Sequence, residues 1–327
     1  MNLQEKYEGI NWNKIDDVID QATWKKLTEQ FWLDTRVPVG NDVNDWAKLS
    51  DMEQDLINKV FGGLTLLDTV QSESGVHSLL DDVRTQHEEA VLNNIAFMEA
   101  VHAKSYSTIF STFNTPTEID NIFEWVATNK RLQYKANIIN DIYRNGTPLQ
   151  KKSASVLLES FLFYSGFYTP LRYLGEAKMV NTAEIIKLII RDESVHGTYI
   201  GYKYQLGFNQ LPETEQKEME QWVIDLAFKL WENETQYTAE LYSEIGWTKD
   251  VNTFLEYNLN KALANLGMNP LFPTTSADVN PIVMNGISTT TSNHDFFSQV
   301  GNGYLLGKVE PVTDADYNAL DKLVSLV

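Results

Sequence analysis

The sequence predicts an all-α fold, a bundle of long helices, and three observations carry that expectation. Apolar residues recur at three- and four-residue spacing through most of the chain without strand-like alternation. Helix-start signals recur at long intervals, with stop signals to match. The composition is that of a folded globular chain, with 43% hydrophobic and 22% charged residues over 327 positions.

The elements follow in order. Ser50 with Glu53, Thr85 with Glu88, Thr115 with Pro116 and Glu118, and Asn181 with Glu184 each read as a cap whose side chain accepts from a helix's orphan N–H groups. Gly146 after "DIYRN" and Gly175 after "PLRYL" read as stops. Long helices are therefore expected at 50–80, 86–113, 117–144, 150–174, 182–206 and 213–245, with shorter ones before and after. A helix of about 28 residues is roughly 42 Å long, which suits a bundle. After about residue 266 the chain becomes rich in Asn, Thr, Ser, Gly and Pro, and reads as a tail or a covering segment.

Charge and composition exclude several functions. With 26 Lys and Arg against 45 Asp and Glu, the net charge of −19 opposes binding to a phosphate backbone, so no nucleic-acid partner is expected. The chain has no cysteine, which excludes disulfides, thiolate ligands and thiol catalysis by this chain and fits a cytoplasmic location. The N-terminus lacks the pattern of a secretory signal. The most apolar run, residues 160–171, is too short to cross a bilayer, so no membrane association is expected.

Chemistry concentrates in "FMEAVHAKSY", where Glu99, His102 and Tyr106 fall on one helical face among apolar neighbours. One Glu-x-x-His is a weak signal. The pattern recurs as Glu193 and His196 in "IIKLIIRDESVHG", so two of only five histidines share matching surroundings. His77, His87 and His294 lack that context and read as structural or exposed. Each Glu-x-x-His helix is preceded by a helix with one isolated acid in an apolar run: Asp68 lies 31 residues before Glu99, and Glu159 lies 34 before Glu193.

Four carboxylates in an apolar interior need partners, because an unpaired one costs several kcal/mol or changes its protonation state. Two divalent cations offset four such charges, and two neutral imidazoles complete ligand sets suited to iron or manganese rather than calcium. The consistent solution is a pseudo-symmetric four-helix site binding two Mn or Fe ions per chain. The competing explanation is a buried salt-bridge network, but these stretches hardly provide the cations it needs; Arg191 is the closest candidate, and one arginine cannot neutralise four acids.

These residues carry a resemblance. "LTLLDT", "FMEAVHAKSY", "LESFLFYSGF" and "RDESVHGTYIGYKYQ" together resemble the small, radical-generating subunit of class I ribonucleotide reductases, most similarly the class Ib form, over residues 25–310. The resemblance implies a ferritin-like helical bundle over 1–290 with a four-helix dimetal core, and an extended C-terminal tail over 291–327. It implies Asp68, Glu99 and His102 as ligands of one metal and Glu159, Glu193 and His196 of the other, with Glu99 and Glu193 able to bridge. Tyr106 corresponds to the radical tyrosine, and Phe163, Phe167 and Ile189 to its apolar pocket. His102, Asp192 and Trp32 correspond to the radical-transfer relay, and Tyr304 to the tail tyrosine that hands the radical on.

The implied activity is that of ribonucleoside-diphosphate reductase, performed with a large subunit that holds the cysteines this chain lacks. The acidic stretch around Glu310, Asp314 and Asp316 would dock that subunit. Homodimerisation and a flavodoxin-like activator that serves manganese loading are implied in the same way. The alternative is a ferritin-like dimetal oxidase or metal-storage protein with no radical-transfer role.

Overall fold

A computed structural model describes residues 8–288. Among these the regular structure is entirely helical, as the periodicity predicts. The main elements are α1 (Val18–Glu29), α2 (Asp51–Val70), α3 (Gln86–Phe113), α4 (Pro116–Thr128), α5 (Lys130–Asn145), α6 (Pro148–Leu157), α7 (Tyr164–Gly175), α8 (Val180–Phe208), α9 (Glu213–Tyr242), α10 (Thr248–Asn265) and α11 (Pro281–Ser288). The boundary expected at residue 290, Tyr304 and the acidic tail lie outside the described residues.

Local chemistry explains most boundaries. Ser50 and Glu53 form a reciprocal capping box that starts α2, and Thr115 and Glu118 form another before the N-terminal Pro116 of α4. Thr85 Oγ1 accepts from Glu88 N at α3, whereas the Glu88 carboxylate turns to Arg84 N. Gly146 ends α5, since a Cβ there would meet the carbonyl oxygen of Ile142 at 2.6 Å.

Three expectations are corrected. The helix expected at 117–144 is two helices, because the side chain of Asn129 accepts from Arg131 N and Leu132 N and starts α5 anew. The helices expected at 50–80 and 150–174 are interrupted by π-helical turns at Gln71–Gly75 and Leu158–Leu162. Asn181 is not the cap of α8: the helix starts at Val180 behind a left-handed Met179. Its free N–H groups are served instead by the buried Asp42, whose carboxylate accepts from Asn181 N, Thr182 N and both side chains.

Helices α2, α3, α8 and the α6–α7 pair close a four-membered ring, each packed on the next. Inside it the side chains of Leu64, Ile95, Leu158, Phe163 and Ile186 are almost wholly removed from water. Each such side chain contributes about 1.5–3 kcal/mol relative to an exposed one. Helix α10 lies on the second π turn and on α7, and approaches α8 so closely that a Cβ on Gly201 would sit 2.4 Å from the carbonyl oxygen of Asn265. Helix α1 packs on α3 and α8, and α11 covers α7.

Candidate metal centre and its relay

Each helix of the ring brings one part of the site. Asp68 lies in the last turn of α2, Glu99, His102 and Tyr106 on the inner face of α3, Glu159 in the second π turn, and Glu193 and His196 in mid-α8. All seven are buried, at 1% exposure or less. An acid in an α-helix is fixed by the 3.6-residue period, whereas the extra residue of a π turn re-aims Glu159 without breaking the helix axis.

The acids and imidazoles form two groups, Asp68–Glu99–His102–Glu193 and Glu99–Glu159–Glu193–His196, whose donor atoms lie within 4.8 Å of one another in each. His102 Nδ1 lies 3.4 Å from Asp68 Oδ1, 3.6 Å from Glu99 Oε2 and 3.0 Å from Glu193 Oε1. His196 Nδ1 lies 2.8 Å from Glu99 Oε1, 3.6 Å from Glu159 Oε2 and 3.3 Å from Glu193 Oε2. Glu99 and Glu193 thus place one oxygen in each group, the disposition of bridging carboxylates. The imidazole rings are 6.0 Å apart.

The donor set fits two cations. Both oxygens of Asp68, Glu99 and Glu193, Oε2 of Glu159, and Nδ1 of both histidines make no hydrogen bond among the described residues, despite full burial. Their atoms converge on common points instead of pairing. Without cations the cluster is tolerable only by redistributing protons. Burial and the neighbouring Glu193 and Glu99 push Glu159 well up, and burial does the same to Asp68. Burial opposes charge on His102 and His196, yet the carboxylates around them prevail and raise both. Burial also works against the Glu193 carboxylate, but the close approach of Glu159 and of the His102 imidazole prevails and holds it low. Arg191 brings no relief, since its Nη2 donates to the carbonyl oxygen of Gln30 at 2.5 Å, so a salt-bridge network does not account for the site.

Tyr106 is 0% exposed and its phenol oxygen has no hydrogen-bond partner among the described residues, Asp68 included. Burial raises its pKa, and the charges of Asp68, Glu193 and Glu99 push the same way. Phe163, Phe167 and Ile189 are completely buried. The ring stacked on Tyr106 is Phe61, 5.8 Å away, a neighbour that sequence spacing does not reveal because it comes from α2.

On the outer side of His102, Nε2 lies 3.2 Å from Asp192 Oδ2, and the same oxygen accepts from Trp32 Nε1 at 2.6 Å. Trp32 also stacks on His102, with ring centroids 5.8 Å apart. Gln30, missed in the sequence, donates from Nε2 to Asp192 Oδ1 at 2.6 Å. His77 is exposed and His87 is buried against Asn11 and Trp12, both away from the acids.

Comparison with known proteins gives the family. Residues 9–281 match the family model of the ribonucleotide reductase small chain. The chain belongs to the ribonucleotide reductase small-chain family. It is 51% identical over 314 residues to ribonucleoside-diphosphate reductase 2 subunit beta of Escherichia coli K12, covering 96% of this chain and 98% of that one. It is 50% identical over 317 residues to subunit beta nrdF2 of Mycobacterium tuberculosis H37Rv, covering 97% and 98%. Among solved structures it resembles the dimanganese(II)-NrdF of Streptococcus sanguinis, at 69% identity and a TM-score of 0.86, covering 86% of this chain and all of that one. The bundle is accordingly ferritin-like, with a carboxylate and histidine cluster suited to a dinuclear manganese or iron site.

Proposed function

We propose that this chain is the radical-generating subunit of a ribonucleoside-diphosphate reductase, and that Asp68, Glu99, His102, Glu159, Glu193 and His196 hold its two metal ions. The observation that carries the reading is the convergence of nine buried donor atoms, without hydrogen bonds among the described residues, on two points one helical turn from a buried phenol. When bound, the dinuclear manganese or iron centre supplies the oxidising equivalent that turns Tyr106 into a tyrosyl radical.

The residues of the chain do the rest. Glu99 and Glu193 span both positions, and His102 and His196 stay neutral ligands through Nδ1. Asp192 accepts from Trp32 and from the Nε2–H of His102, which fixes the imidazole tautomer with Nδ1 free for a metal. The apolar pocket of Phe61, Phe163, Phe167 and Ile189 keeps water and reductants from the Tyr106 radical. Trp32, Asp192 and His102 form a continuous route from the site toward the exposed Phe31 and Leu33. Tyr304 in the tail passes the radical to the large subunit, which reduces the ribonucleotide. The tail, residues 291–327, docks that subunit; the protein works as a homodimer in the cytoplasm, and a flavodoxin-like protein activates its manganese form.

Parallel loading with Mn(II) plus activator and with Fe(II) plus dioxygen, followed by electron paramagnetic resonance and a reductase assay with the large subunit, tests this. Tyr106→Phe is expected to bind two metals, lose the radical signal and support no turnover; retention of full activity sinks the radical assignment and favours a ferritin-like oxidase or storage protein. Truncation before Tyr304 leaves metal binding intact and abolishes turnover.

A further inference from the structure

Glu159 differs from the other three acids of the centre. Among the described residues, both oxygens of Asp68, Glu99 and Glu193 are without a hydrogen bond, but only Oε2 of Glu159 is. Its Oε1 accepts from Gln71 Nε2 at 2.5 Å. Gln71 comes from the π turn that follows α2, three residues after Asp68, and its side chain is 0% exposed.

The amide orientation follows from its three partners. Tyr143 of α5, itself 1% exposed, donates its hydroxyl to Gln71 Oε1 at 2.6 Å. Gln71 Nε2 also donates to Ser155 Oγ at 2.8 Å, one turn before Glu159. The Tyr143 and Ser155 hydroxyls can donate or accept, whereas Glu159 as an ionised metal ligand only accepts, so it is Glu159 Oε1 that turns the NH₂ end toward itself and Ser155 and leaves the carbonyl end for the Tyr143 O–H. A flip would put two acceptors against each other in a dry interior, which costs about 1–3 kcal/mol for each unsatisfied group.

Gly75 leaves the space for this arrangement. A Cβ there would lie 2.0 Å from Gln71 Oε1 and 2.8 Å from the Tyr143 ring, so the π turn can hold the amide only if residue 75 has no side chain. Its φ of ordinary helical sign shows that the requirement is room, not backbone freedom. Four residues on three elements therefore act on one oxygen of one ligand.

We infer that Gln71, oriented by Tyr143 and accommodated by Gly75, is a positioning residue that occupies Glu159 Oε1 and leaves Oε2 alone to bind the cation beside His196. It rests on the dimetal reading above, and it gives the two metal positions different constraints. Asp68, the corresponding acid of the other position, has both oxygens free to bind or shift. Glu159 is clamped.

Metal binding by the full-length protein tests the clamp. Titration of the metal-free wild type with Mn(II) is expected to load two ions; failure to load two overturns the dimetal reading itself. Gln71→Leu is expected to weaken loading beside His196 by about 10–100-fold, as for other residues that orient a ligand, while the ion beside His102 binds as before. Electron paramagnetic resonance would then show an isolated Mn(II) at limiting metal, and anomalous scattering from crystals would place it at His102. Tyr143→Phe removes one oxygen atom and keeps the packing, so it remains testable if Gln71→Leu does not fold. It is expected to weaken the same ion by roughly 2–10-fold, the equivalent of one neutral hydrogen bond, and to add nothing in the Gln71→Leu background. Unchanged loading in Tyr143→Phe, equal weakening at both positions, or full additivity of the two substitutions overturns the inference.

Discussion

Asp192 shows how much a single carboxylate can hold together. Its two oxygens take Trp32, His102 and Gln30, at 2.6, 3.2 and 2.6 Å, and it sits next to a candidate metal ligand, Glu193. Asp192→Asn replaces one acceptor oxygen by a donor, and Trp32→Phe removes the indole N–H. Both variants are expected to form the Tyr106 radical in normal amount, measured by electron paramagnetic resonance, and to lose reductase turnover by at least 100-fold. Loss of the radical itself would argue for a structural role instead. Glu99, His102 and Tyr106 were legible in the sequence because a helix repeats every 3.6 residues and converts spacing into a shared face. Gln30 was not, since its partner is 162 positions away and nothing local distinguishes it from a surface glutamine.

At the level of elements, the segment between α1 and α2 works as a strap. Gln30 and Trp32 bind Asp192 in mid-α8, Asp34 accepts from Thr108 and Lys104 on α3, and Asp42 closes the N-terminus of α8. Asp42 replaces a local cap, so α8 is registered against the strap and not by its own sequence. Asp42→Ala is expected to destabilise the fold by about 1–2 kcal/mol, the typical worth of a cap, read as a lower urea midpoint. An unchanged midpoint would show that water serves the freed N–H groups equally well. The same dependence explains why Asn181 and Glu184 looked like a cap: the residue types are right, but a left-handed Met179 and a carboxylate from elsewhere do the work.

For the whole molecule, the interior carries many tyrosines, and this sets its response to alkali. Burial pushes Tyr168 and Tyr204 up to about 12, from an ordinary value of 10.0. Above pH 10 the unfolded chain therefore binds fewer protons than the folded one, and stability falls as the pH rises from about 10 to 12. Lys261 acts in the opposite direction. Burial brings it from 10.5 down to about 8, so between those values the unfolded chain holds the extra proton and stability grows with pH. Thermal midpoints are expected to fall steeply above pH 10, and Lys261→Met to remove the gain between pH 8 and 10.5 without shifting the later fall. A flat profile to pH 12 would contradict the burial of these phenols.

By itself the sequence determined the helical class, the two acid and Glu-x-x-His pairs, and the tyrosine one turn beyond His102. Each is a matter of local period, of capping chemistry, or of the energetic demand that buried carboxylates find cations. The tertiary structure decided which oxygen faces which imidazole. It also decided that Glu99 and Glu193 each serve both groups, and that Phe61, Gln30, Gln71 and Asp42 hold the site in place. Those choices depend on π turns and on contacts between residues far apart in the chain. The energy of such contacts exists only once the helices have packed.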